Sequence, residues 1–147
     1  MQIFIFGGEF SSPSQTSFHH FRDFWSLDVE THEWERIETK VKPSPRSGCR
    51  MALWKNWIVL VGGFHDVGVR TNYLGDTWAF DLTEYKWREI IFPLTAQKPC
   101  ARSGMSLLPC AEGVVLSGGY AKMYEKGKKT KGVSLEDTWT LRFVPRP

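Results

Sequence analysis

Three apolar runs in this chain end in paired glycines: "IFIFGG" at Gly7 and Gly8, "IVLVGG" at Gly62 and Gly63, and "VVLSGG" at Gly118 and Gly119. The pairs recur at intervals of 55 and 56 residues. An Asp-x-Trp follows each one: Asp23 with Trp25, Asp76 with Trp78, and Asp137 with Trp139. In two copies another tryptophan stands nine residues further on, Trp34 and Trp87. In two copies Arg-Ser-Gly precedes the apolar run, at Arg46 and Arg102. Self-similarity at a fixed period marks a repeat architecture, in which each unit buries its apolar face only against its neighbours. Several landmarks held in register carry this reading, where one glycine pair would not.

Within each period the pattern is that of strands. Short runs of Val, Ile, Leu, Phe and Trp are bounded by Gly, Pro and polar residues, and no stretch sustains a 3.6-residue apolar period. The central copy predicts four strands: A over 48–54, B over 57–62, C over 76–81 and D over 86–90. Lys55-Asn56 turns A into B, and Thr83-Glu84-Tyr85 turns C into D, giving an antiparallel meander. The expected units are a partial blade over 1–38, a full blade over 46–91 and a partial blade over 102–143.

An apolar strand closing on Gly-Gly, then an aromatic residue, then a tryptophan nine further on resembles the kelch repeat, and the resemblance spans nearly the whole chain. It implies an all-β fold: an incomplete kelch β-propeller of about two and a half four-stranded antiparallel blades. Two departures stand out. Cys49 and Met105 follow Arg-Ser-Gly where a related subgroup commonly has His, and the first copy lacks Arg-Ser-Gly while the third lacks its second tryptophan. Closed propellers typically have 4–8 blades. The chain is therefore expected to be a piece of a longer kelch protein, or a partial ring that self-associates through unpaired blade edges. Gly7, Gly8, Gly62, Gly63, Gly118 and Gly119 are expected to sit where a Cβ does not fit or φ is positive. Trp25, Trp34, Trp78, Trp87 and Trp139 are expected to fill the wedges between blades.

Bulk properties narrow the function classes. Charged residues make up 24% and the net charge is +3, concentrated in "KMYEKGKKTKG"; this is no nucleic-acid footprint. No apolar run approaches the ~20 residues that span a bilayer, and "MQIFIFGGEF" lacks the basic start and cleavage site of a secretory signal. Three cysteines, Cys49, Cys100 and Cys110, form no CxxC pair, which fits a reducing compartment. The expectation is a protein of the cytoplasm or nucleus, with no nucleic acid and no membrane among its partners.

Strand alternation puts the B–C loops (9–22, 64–75, 120–136) and the D–A loops (39–47, 92–103) on one face, and the short turns on the other. Long loops on a rigid scaffold are where binding residues concentrate. The resemblance implies a non-enzymatic module that binds a protein or peptide through this face. The candidate partner-binding residues are Phe10, His19, His20, Arg46, His65, Asp66, Tyr73, Arg102, Tyr120, Tyr124 and Lys128. Tyr and Arg are common hot-spot types, and the lysines suit an acidic rim. Arg46 and Arg102 have two readings: a pair of guanidiniums facing an acidic group, or internal partners of the recurring aspartates. No cofactor and no metal are expected, since His19-His20 and His65 could serve as ligands only if their loops meet. The alternative is a fragment of a metal-dependent enzyme of the galactose-oxidase type, whose copper centre needs convergent Tyr, His and Cys; the repeat places no Tyr or His beside Cys49 or Cys110. No GxSxG, HExxH, P-loop or dinucleotide fingerprint occurs.

Overall fold

The computed structural model describes residues 1–67, 70–124, 127 and 129–144. Every regular element in them is a strand. In chain order these are β1 (Gln2–Phe6), β2 (Glu9–Ser11), β3 (Phe18–His20), β4 (Phe24–Asp28), β5 (Trp34–Arg36), β6 (Arg50–Trp54), β7 (Trp57–Val61) and β8 (Phe64–Val67). There follow β9 (Arg70–Tyr73), β10 (Thr77–Asp81), β11 (Lys86–Glu89), β12 (Ser106–Cys110), β13 (Gly113–Ser117), β14 (Tyr120–Met123), β15 (Lys131–Ser134) and β16 (Thr138–Arg142).

Three antiparallel sheets repeat one plan. The central sheet has the order β6-β7-β10-β11; the first sheet, β1-β4-β5, lacks the strand equivalent to β6; and the third, β12-β13-β16, lacks the equivalent of β11. The ten blade strands fall where the repeat places them. The B–C segments differ from expectation. Each forms a two-stranded hairpin: β2-β3, β8-β9 and β14-β15. These strands are short and polar, so no apolar alternation betrays them.

The central strand β7 shows why its sequence is apolar throughout. Side chains alternate across a strand, and both faces of this one are covered. Ile58 and Leu60 join Phe6, Phe24, Ile37, Trp78, Phe80 and Trp87 in the core between the first and second sheets. Val59 and Val61 join Ala52, Met105, Leu107, Val114 and Leu116 between the second and third. The first wedge is aromatic: the Phe24 ring lies 4.8 Å from Phe80 and 4.9 Å from Trp87. At the outer sheets only one face is covered. Ile3 and Ile5 occupy the repeat positions of Ile58 and Leu60, yet each is 46% exposed where those are 4% and 0%. Likewise Trp34 is 51% exposed and its counterpart Trp87 is 4%. The expectation that every repeat tryptophan fills a wedge is corrected at Trp34, because no sheet stands against that face of the first blade; with Ile5 and Trp25 it lines an open apolar hollow.

Candidate functional site

The sequence landmarks meet at the joints between sheets. In each blade the Asp-x-Trp closes on itself: the indole N–H of Trp25, Trp78 and Trp139 donates to Asp23, Asp76 and Asp137 at 2.7, 2.8 and 2.7 Å. The main-chain oxygen of the same aspartate accepts from the first glycine of the pair, at Gly7, Gly62 and Gly118. The second glycine then reaches the next blade: Gly8 N donates to Arg46 O and Gly63 N to Arg102 O, both at 2.9 Å.

Both glycines of the central pair have positive φ, +66° at Gly62 and +104° at Gly63. They are also crowded from opposite sides. A Cβ on Gly62 would lie 2.5 Å from Arg102 O of the next blade, and one on Gly63 would lie 2.7 Å from Ser47 O of its own. The end copies complete the logic. Among the described residues no fourth blade faces Gly118, which has only Leu135 O at 3.4 Å, and no strand A stands in the first sheet, so Gly8 meets nothing.

Arg46 and Arg102 lie inside these joints, not on the binding face. Arg46 donates to Asp76 Oδ1 and Oδ2 at 2.6 and 2.8 Å, to Gly62 O at 3.1 Å, and to Ser44 O and Oγ. Arg102 repeats the pattern with Asp137 at 2.5 and 2.8 Å, Gly118 O at 3.0 Å, and Cys100 O and Sγ. Both side chains are fully buried. Buried, bidentate and saturated, they have no donor left for a ligand, which corrects their assignment as partner-binding residues. Burial alone would raise the Asp76 carboxyl; the hydrogen bonds from Arg46 and Trp78 outweigh it and hold it below the ordinary value. The Asp137 carboxyl is held far below its usual range by Arg102, then by Trp139.

The three hairpins form a continuous surface. Ring centroids run from His20 to Phe64 at 5.5 Å, from Phe64 to Tyr73 at 6.1 Å, and from Tyr73 to Tyr120 at 6.1 Å. This line crosses all three blades. Tyr124 adds a bond from its hydroxyl to Thr71 O at 3.2 Å. Tyr120 and Tyr124 are exposed at its far end, and Phe10, Phe18 and Phe21 are exposed in and just after the first hairpin. His19 is exposed and sits edge-on to Phe21 at 4.8 Å, while His65 and Tyr73 are half-buried. Burial pushes the Tyr73 phenol up, with the neighbouring Tyr120 and Asp66 adding to it. Lys128 lies outside the described residues.

His20 is the exception among the candidates. It is buried, so its assignment to a contact surface is corrected. Its Nδ1 lies 2.7 Å from Ser47 Oγ, and its Nε2 lies 3.1 Å from Asp66 Oδ2. The loops carrying His20 and His65 do meet, with ring centroids 5.0 Å apart. Reading the sequence missed Glu9 and Ser47. Glu9 stands at a repeat position filled by Phe64 and Tyr120 in the other copies, and that break in chemistry was the available signal. Cys49 is half-buried, and desolvation raises its thiol, which keeps it protonated and unreactive.

Stacked antiparallel meanders, each joined to the next through its glycine pair, with the second and third braced internally by an Arg–Asp fork, define the blades of a partial β-propeller of the kelch-repeat class. The KLHDC2/KLHL20/DRC7 Kelch-repeats domain family matches residues 1–145, and the chain belongs to it.

Proposed function

We propose that this chain is a non-enzymatic protein-interaction module that engages a protein or peptide through the hairpin face. The observation that carries the reading is the aromatic line from Phe64 through Tyr73 to exposed Tyr120, with exposed Tyr124 beside it, to which Phe10 and His19 add exposed rings on the first hairpin. These side chains offer large contact area and, in the tyrosines, a polar tip. Phe10, His19 and Tyr120 stand on paired strands, which lowers the ordering cost of binding. The test is selection from a displayed peptide library. Replacing Phe10, His19, Tyr120 and Tyr124 together by Ser should abolish enrichment. A control altering Lys55 and Tyr85 on the opposite turns should keep it. Equal enrichment by both variants would refute the assignment.

Within the family, we assign the chain to the group around kelch domain-containing protein 4, which it resembles in "FGGEFSSP" and "SGCRMALWKNWIVLVGGFHD". We further propose self-association through the unpaired blade edges, which β1 and β16 leave open at the ends of the first and third sheets. Light scattering that gives a monomer at high concentration would refute this. A tagged copy seen outside the cytoplasm and nucleus would overturn the proposed localisation.

A further inference from the structure

Glu9 and His20 are register partners across the first hairpin, so their side chains share a face. Asp66 reaches the same point from β8 of the second hairpin. His20 Nε2 lies 3.1 Å from Asp66 Oδ2 and 3.9 Å from Glu9 Oε2, and the three ligand-type atoms all fall within 4.8 Å of one another. A zinc ion at about 2.0–2.1 Å from each of three tetrahedral ligands sets them roughly 3.3 Å apart. The observed spacings are close to that before any ion has drawn the groups in.

The surroundings orient each ligand. The His20 side chain is fully buried, with Nδ1 held 2.7 Å from Ser47 Oγ. With the proton on Nδ1, the ring donates to Ser47 and turns its Nε2 lone pair toward the two carboxylates. Thr71 Oγ1 donates to Asp66 Oδ1 at 2.7 Å, which leaves Oδ2 facing the histidine. Such outer partners fix the tautomer and orientation of metal-binding groups. In the same tautomer the Asp66 backbone N–H donates to Nε2 at 3.2 Å, and an incoming ion takes that lone pair over from the amide. A proton on Nε2 would tie His20 to Asp66 and leave Glu9 outside.

We propose that Glu9, His20 and Asp66 form a divalent-cation site of the zinc class, with its fourth position open to solvent on the Glu9 side. One imidazole and two carboxylates suit zinc; calcium requires six to eight oxygens, and magnesium keeps most of its waters. The ion would staple the first hairpin to the second and so fix the spacing of the aromatic line. This does not depend on what binds that line.

The experiment is calorimetric titration of the chelator-stripped chain with zinc chloride, with magnesium and calcium in parallel and the thermal midpoint as a second readout. One zinc per chain, a raised midpoint and no uptake of the other two are expected. Glu9→Gln and Asp66→Asn each weaken zinc binding by about tenfold or more, and Ser47→Ala, which keeps all three ligands, weakens it by about 10–100-fold. His19→Ala leaves it unchanged. Failure of the wild-type chain to bind zinc overturns the proposal. So does binding that Glu9→Gln leaves intact, which would place the ion on the cysteines or elsewhere. Glu9 is on an exposed edge, so this variant folds and decides the matter even if Asp66→Asn does not.

Discussion

Gly62 and Gly118 offer a matched pair of substitutions that separates backbone strain from inter-blade crowding. Their φ values are +66° and +68°, so an added Cβ meets the same conformational penalty at both. For a non-glycine residue in this region that is about 1–2 kcal/mol. Their surroundings differ. At Gly62 the new methyl would sit 2.5 Å from the Arg102 carbonyl oxygen and 2.5 Å from Met105 Cε. The methionine tip can swing away. The carbonyl cannot, because it already accepts the Gly63 N–H and belongs to the residue forked onto Asp137. Forcing the sheets apart adds about 1–3 kcal/mol. At Gly118 the nearest atom is 3.4 Å away, an ordinary contact. Gly62→Ala should therefore cost about 2–5 kcal/mol, and Gly118→Ala about 1–2 kcal/mol. Urea denaturation followed by tryptophan fluorescence measures both. Equal losses would show that the first glycine is retained for its φ alone, and the account of the joint would fail.

The wedge makes a parallel contrast: Trp87→Ala should cost about 3–5 kcal/mol, whereas exposed Trp34→Ala should cost under about 1 kcal/mol, both by the same unfolding assay. Asp76→Asn leaves the buried Arg46 guanidinium with an incomplete fork, and the expected loss is about 3–5 kcal/mol; Asp137, which is more exposed, should lose less on the same change. Both aspartates bind their proton more weakly in the folded chain than in the unfolded one. Their contribution to stability is therefore complete above about pH 5 and is lost as the pH falls through the unfolded value near 4 and on toward the folded ones. A urea series from about pH 6 to about pH 3, from about two units above that value to about one below it, should show the decline, and Asp137→Asn should flatten it.

How much of this was legible in the sequence follows from what repeats. Gly62, Asp76, Trp78 and Arg102 recur because each makes a bond or contact that the blades reuse, and a period of about 56 residues exposes them without any knowledge of partners. The blade strands were legible because burial on both faces forces continuous apolar runs such as "WIVLV". The hairpins were not, since strands such as "EFS" and "KGVS" are held by backbone pairing and carry little apolar signal. The arginines were legible as a pattern with two readings, and the distances decide for the internal one: the aspartate 30 or 35 residues later takes both forks.

Groups that recur at every joint hold the sheets together, so specificity has to come from positions where the copies disagree. The residue after the glycine pair is Glu9 in one copy, Phe64 in the next and Tyr120 in the third; the one facing the following Arg-Ser-Gly serine is His20 in the first copy and Tyr73 in the second. In the second copy this position holds a phenol raised by burial within an aromatic line, and in the first it holds an imidazole facing two carboxylates. One backbone plan thus places a phenol at this position in one hairpin and, in its neighbour, an imidazole that meets carboxylates from both hairpins. A partner that reads the face meets both at once, and swapping the first and second hairpin sequences should therefore destroy recognition while leaving the blade strands and their joints intact.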